Sequence, residues 1–464
     1  MRGLFVLMSA AEKRVGRDLT EGSIYKGLAL FAAPIVLAAL IQQLYSVVDL
    51  IIIGQYMGNT GTVGVSTGGE MADLVTPIAS SFATGGQIYI AQLVGARREE
   101  GLKKATGSLI TFLMLMSVAL MIPVLVFCRP ILNLLNCPAE AMGQATSYMI
   151  ITTIGFPFIF GYNAVCGVLR GMGESKAPMR FIIIAAVMNI FLDLLFVVVF
   201  KMEAAGTAIA TIAAQFASFA AAFVFMLRHK ETFEFELKPS SFKMYSADVK
   251  VICKLGFPQA VRTTLVHFSM LWINASINSY GLVISSTNSI GNKLQKFLNI
   301  FVVSAAQASA AMVGQNLGAG KKDRAANTVW ATLSCCLAFA VLTCIVIVAF
   351  PKAIFGVFTA DEAVLAMARS YLTIMTAHFI WSAFTSAFQS MVIGAGNASL
   401  NFVIGILDGI VCKIGISYVC AYALGMGATG FFIGTAWSRC LPAVICFIYF
   451  ISGKWKTRKL LIND

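Results

Sequence analysis

The sequence predicts an all-α polytopic membrane protein whose twelve transmembrane helices form two six-helix parallel repeats. Three observations predict it. Of the 464 residues, 58% are hydrophobic and only 12% are charged, against roughly 25% charged in soluble domains. Apolar stretches recur near the ~20 residues a helix needs to cross hydrocarbon. They are continuously apolar, without the alternation of barrel strands. Finally, one pattern is written twice, about 223 residues apart: Ala91-Gln92-Leu93-Val94-Gly95-Ala96 returns as Gly314-Gln315-Asn316-Leu317-Gly318-Ala319. Gly171 and Gly173 return as Gly394 and Gly396, and one residue out of that register Pro34 pairs with Pro258, Gly206 with Gly430 and Thr211 with Thr435.

Residues 1–27 form an arm carrying Lys13, Arg14, Arg17 and Lys26. Its opening MRGLFVLMSA has a basic start and a short apolar run but no good A-x-A site. A cleaved signal peptide is therefore not expected, and Met8 is an alternative start. Spans follow at 28–54, 66–92, 105–128, 142–166, 180–200 and 205–227, giving an amino-terminal lobe over 28–227. A polar linker covers 228–250; its end, with Phe242, Tyr245 and Val249, reads equally as an interfacial helix or a plain tether. Spans at 251–278, 286–313, 326–350, 366–391, 401–422 and 427–451 make the carboxyl-terminal lobe over 251–451, and 452–464 is a tail.

Charge orients the bundle. Arg97, Arg98, Lys103 and Lys104, then Arg170, Lys176 and Arg180, then Lys321, Lys322 and Arg324 follow even-numbered spans. The tail adds Lys454, Lys456, Arg458 and Lys459. The positive-inside rule places both termini in the cytoplasm. Six spans per half is an even number, so both copies start from the same side and are parallel repeats. The formal charge of +13 reflects topology and contact with anionic lipid, and gives no case for nucleic acid. The eleven cysteines show no C-x-x-C metal spacing. Cys128 and Cys137 lie near the outer face, where a bridge and two free thiols are both open.

Charges inside a span are expensive and ask for a reason. Asp49 sits among Tyr45-Ser46-Val47-Val48 and Leu50-Ile51-Ile52-Ile53, and Asp193 follows Asn189 by one helical turn. Asp49 is about five residues, or roughly 8 Å at the helical rise, from the outer end of its span. Asp193, Thr211 and Tyr148 lie at similar depth in spans 5, 6 and 4, which points to one pocket. Desolvation disfavours an ionised carboxyl, and a second carboxylate nearby disfavours it further. A pair of this kind can exchange a proton or cation. The other reading is a structural hydrogen bond between helices.

The second half carries Arg262, Lys293, Lys296, Asp408, Lys413 and Arg439 inside spans. Asp408 and Lys413 read as neutralising each other, and Arg439 as close to a helix–helix contact. Lys293 reads equally as the structural partner of Asp408 or as a substrate or coupling group. His267 and His378 read as packed core. Pro34 and Pro258, at equivalent points of the first helix in each half, are static kinks or hinges. No nucleotide loop, G-x-S-x-G elbow or metal-ligand cluster is present in the sequence, so an enzyme is not expected.

These residues resemble the multidrug and toxic compound extrusion (MATE) family over nearly the whole chain. The resemblance rests on Pro34 with Val47-Val48-Asp49, Gln92-x-x-Gly95-Ala96, Leu169-Arg170-Gly171-x-Gly173, Asn189-x-x-x-Asp193 and Gln315-Asn316-Leu317-Gly318-Ala319. It implies two six-helix lobes forming a V around a central cavity. It also implies efflux of small amphipathic, often cationic, drug-like compounds in exchange for H+ or Na+ by alternating access. The setting it implies is a bacterial cytoplasmic membrane, with a monomer embedded in lipid and no cofactor beyond the coupling ion. In the DinF-like branch the cation positions look like Asp49, Asn189, Asp193 and Thr211, with Na+ a candidate at Asp49 and Asp193. Tyr45, Tyr148 and Asn163 would be neighbours. Where the NorM-like branch has an acidic residue in span 7, this chain has Pro258-Gln259-Ala260-Val261-Arg262. That departure favours coupling in the first lobe and leaves Gln259, Lys293 and Asp408 as cavity-lining or supporting residues. The alternative function is a flippase for lipid-linked precursors on a related fold.

Overall fold

The computed structural model describes residues 16–463 apart from 234, 236 and 237. The readings made on Lys13, Arg14, Met8 and the opening apolar run lie outside the described residues. Within them the chain is helical, with no strand.

The first half gives α1 (Ile24–Tyr56), α2 (Gly58–Gly95), α3 (Glu99–Val126), α4 (Met142–Ile154 and Phe156–Gly171), α5 (Lys176–Val199) and α6 (Glu203–Arg228). The second gives α7 (Ser246–Asn278), α8 (Leu282–Gly318), α9 (Lys322–Ala349), α10 (Glu362–Gly394), α11 (Ala398–Ala423) and α12 (Ala428–Ile451). Among the described residues nine helices are long and apolar enough to cross a membrane, or ten with the α4 pair, which bends by 42°. The bend falls at Gly155, where Pro157 supplies no backbone donor. α2 and α7, at 38 and 33 residues, have the length but a more polar composition.

Two compact units result. One holds Ala33–Gly256 together with the chain up to Asp18, the other Leu19–Ala32 and Phe257–Asp464. The division cuts α1 just before Pro34 and α7 just before Pro258, so the two copies are divided at the same point. Each crossing lies where proline interrupts the helical hydrogen-bond ladder.

Polar contacts hold these crossings, from the repeated motif in the second unit and from other residues in the first. In the second unit, Gln315 Oε1 accepts from the Leu19 amide at 3.2 Å and Asn316 Nδ2 donates to the Leu19 carbonyl at 3.2 Å. Lys321 Nζ donates to the Thr20 carbonyl, and Arg324 donates to the carbonyls of Glu21 and Gly22. In the first unit, the buried Asp248 carboxylate at the start of α7 accepts from Tyr89 Oη and Ser108 Oγ, both at 3.0 Å. One repeated glycine pair shares its backbone geometry but not its neighbours. Gly173 and Gly396 both have positive φ, which glycine adopts without steric cost. Gly173 lies against the Arg17 backbone, whose amide donates to the Gly173 carbonyl, and Gly396 lies against Leu461.

The segment before α7 packs against the helices it joins and is not a plain tether. Phe233 and Phe235 are buried, and their rings meet Phe225, Phe223 and Phe242. The Phe242 carbonyl accepts from Thr111, and the Tyr245 amide donates to Ser108 Oγ. Val249 already lies within α7. Aromatic residues spaced through a polar stretch were its packing signal. All eleven cysteines are free thiols, Cys128 and Cys137 included.

Candidate functional site

In the first unit, α5 places Asn189 and Asp193 one turn apart, 2% and 0% exposed. Asp193 is the last α-helical residue before a π-helical turn over Leu194–Val199, the kind of local widening often found at functional positions. α1 brings Asp49 and Tyr45 to the same place: Asp49 lies within interaction range of Asp193, and Tyr45 within range of Asp49. The Tyr148 ring of α4 neighbours Asp49, Asp193 and Asp73, with its hydroxyl toward Thr211 of α6. Four helices from distant parts of the sequence therefore converge on one carboxyl pair.

Acceptors are in excess in this cluster. Asp49 Oδ1, both carboxyl oxygens of Asp193 and Asn189 Oδ1 are buried and accept no hydrogen bond. An unsatisfied buried acceptor is costly, and two carboxylates side by side offer each other no donor. A proton shared by the pair, or a cation held between the oxygens, would supply what the protein does not. The donor set is all oxygen, which suits H+ or a hard cation such as Na+. Among the described residues no group of three or more His, Cys, Asp or Glu side chains is placed to hold a metal.

Asn163 spends its amide on the Ile159 carbonyl of its own helix at 2.8 Å. Asp73, a neighbour of Tyr148, was missed by the sequence reading. The signal was available, because Glu70 and Asp73 both carry charge inside the 66–92 span.

The second unit holds a different network. Gly405 and Gly409 of α11 lie against Arg262 and Leu265 of α7, where a Cβ would stand 2.6 and 2.9 Å from their Cβ atoms. That approach sets Asp408, in a second π-helical turn over Leu407–Cys412, beside Arg262. Asp408 Oδ2 accepts from Arg262 Nη2 at 3.1 Å, and Oδ1 lies 3.8 Å from Arg439 Nε. The pairing of Asp408 with Lys293 is thus corrected, while Lys413 remains within electrostatic range of Asp408. Lys293 is exposed on α8, and Lys413 is buried near Asp408 without ion-pair contact. Spacing alone favoured a lysine five residues away on the same helix, whereas the close-packed glycines bring an arginine from another helix.

A chain of donors leads away from Arg439. Its Nη1 donates to Ser382 Oγ at 2.6 Å, and Ser382 donates to Asn299 Oδ1 at 3.0 Å. Asn299 Nδ2 meets His378 Nε2 at 3.1 Å, and His378 Nδ1 faces the Thr435 carbonyl. Gln259 Oε1 accepts from Asn401, which in turn accepts from Gln389. His378 is buried core as expected; His267 is exposed instead. Pro34 and Pro258 are both buried at the unit crossings.

A family model described as MatE matches the chain twice, over residues 34–195 and 258–419, each match beginning on a repeated proline. The probable multidrug resistance protein YpnP of Bacillus subtilis is 26% identical over 96% of this chain and 98% of its own length. The multidrug export protein MepA of Staphylococcus saprophyticus is 20% identical over 92% of each. The crystal structure of MATE in complex with MaD3S shares the fold, with a TM-score of 0.89 at 18% identity over 95% of this chain and 98% of that one.

Proposed function

The chain belongs to the MatE family, and from that premise we propose that it is a secondary active antiporter exporting small amphipathic compounds in exchange for H+ or Na+. The working form is a monomer in a bacterial cytoplasmic membrane with both termini cytoplasmic. Its relatives named as multidrug resistance and export proteins support the transport reading. The observation that carries coupling is the set of four buried oxygens on Asp49, Asn189 and Asp193 without a donor.

Binding a proton or cation there satisfies acceptors that otherwise oppose close packing of α1 against α5. Loading therefore favours the conformation in which these helices approach, and release favours the one in which water reaches them. The bias is limited to the difference in ion affinity between the two conformations. Pro34, in the same helix as Asp49, and Pro258 are the positions where the backbone can bend.

The test uses purified protein in proteoliposomes, with dye export driven separately by a pH gradient and a Na+ gradient. Asp193→Asn should reduce gradient-driven export at least tenfold while leaving the protein folded. Export by Asp193→Asn at the wild-type rate would rule out this coupling mechanism.

A further inference from the structure

We propose that the second unit contains an oxyanion-binding site formed by Lys413, Arg439 and Arg262, which receives the carboxylate or phosphate group of an amphipathic molecule. The argument starts from charge. Three cationic side chains surround one carboxylate, Asp408, and among the described residues no other acid acts on Asp408, Lys413 or Arg439. Two positive charges are left without a counterion in a helical bundle, where unpaired charge is disfavoured.

A purely structural pair would be complete with Arg262 and Asp408. Instead Lys413 is only 7% exposed and lies within electrostatic range of the same carboxylate, which Arg262 and Arg439 already share. Independently, Arg262 Nε is a buried donor without an acceptor. The one carboxylate present is shared between Arg262 and Arg439, and the Ser382–Asn299–His378 chain has each polarity fixed by its neighbour. Surplus positive charge with an unsatisfied donor, held by close-packed helices, is the inverse of the carboxyl cluster in the first unit. The guanidinium side chains of Arg262 and Arg439 are 16% and 17% exposed, which leaves an edge for a ligand to reach. An oxyanion with an apolar body supplies the missing acceptors. As a transport substrate such a molecule rests on the antiporter reading; as a ligand it does not.

The experiment measures equilibrium binding of 11-(dansylamino)undecanoic acid and its primary amide to full-length protein in lipid-depleted detergent. Wild type should bind the acid at least tenfold more tightly than the amide, a difference that Lys413→Gln should reduce to below about threefold and Lys413→Arg should keep. Equal affinity for acid and amide in wild type, or full discrimination in Lys413→Gln, overturns the proposal. The unfolding temperature of Lys413→Met gives a second reading. A surplus charge predicts a value at or above wild type, and a fall as large as that of Asp408→Asn would make the cluster structural and overturn the site. Competition separates the sources: acid displaced by phosphatidylglycerol places a lipid headgroup in the site, and acid retained against it places a soluble substrate there. Loss of gradient-driven dye export with discrimination intact would sink only the antiporter reading, and export without discrimination would sink only the oxyanion site.

Discussion

Asp408→Asn is the most severe single test of the second unit's charge arrangement. Asparagine keeps the shape and removes the carboxylate shared by Arg262 and Arg439 at 3.1 and 3.8 Å. At an effective dielectric of about 20, those separations correspond to roughly 5 and 4 kcal/mol of gross attraction. Desolvation offsets much of that sum. Removing one partner of a buried ion pair costs about 3–5 kcal/mol, because the remaining charge stays buried and uncompensated. Here the strain is compounded, since Lys413 also loses its nearest opposite charge. A thiol-reactive fluorogenic dye can follow unfolding, because Cys128, Cys166, Cys336, Cys412 and Cys446 are buried and free. The Asn variant should unfold at a lower temperature than wild type, and adding Lys413→Met should recover part of the loss. An Asp408→Asn variant with wild-type thermal stability would refute the counterion reasoning.

Three other substitutions address the frame. Asp248→Ala removes two hydrogen bonds to a charged acceptor, worth about 3 kcal/mol together; amide hydrogen exchange over 246–256 should quicken, and unchanged protection would show that the carboxylate does not fasten α7. Gln315→Ala leaves the buried Leu19 amide without its acceptor, at a cost of about 1–3 kcal/mol. Proteolysis after Arg17 should become faster, and a wild-type digestion rate would count against the motif as a clasp. Gly405→Ala puts a methyl 2.6 Å from Arg262 Cβ, which should cost about 1–3 kcal/mol through displacement of α7; a thermal stability equal to wild type would mean that the two helices are not in close contact.

Much of this was legible in the sequence because membranes make helices and charges conspicuous. Continuous apolar runs, paired prolines and glycines, and two acids in a greasy context were enough to find α1, α5 and the Asp49–Asp193 pair. What the sequence lacked was the partner across space. Asp408 lies five residues from Lys413, yet the close approach of Gly405 to α7 gives it Arg262 instead. Asp73 escaped notice although its charge was as visible as that of Asp49. Placing it beside Tyr148 requires the packing of α2 on α4, which no periodicity reports. The linker's phenylalanines were visible as letters, but their burial depends on α3 and α6 presenting surfaces to receive them.

The shared first helices bear on how such a chain could have arisen. Each copy completes its bundle with a helix start borrowed from the other, so a single ancestral copy would have been whole only as a reciprocally swapped dimer. Gene fusion turns that exchange into an intramolecular one, in which the borrowed piece is always at high effective concentration. Once neither copy could be lost or replaced separately, selection no longer had to keep them chemically alike. One was free to collect acids and the other bases, while the prolines at the two crossings stayed under the same constraint in both.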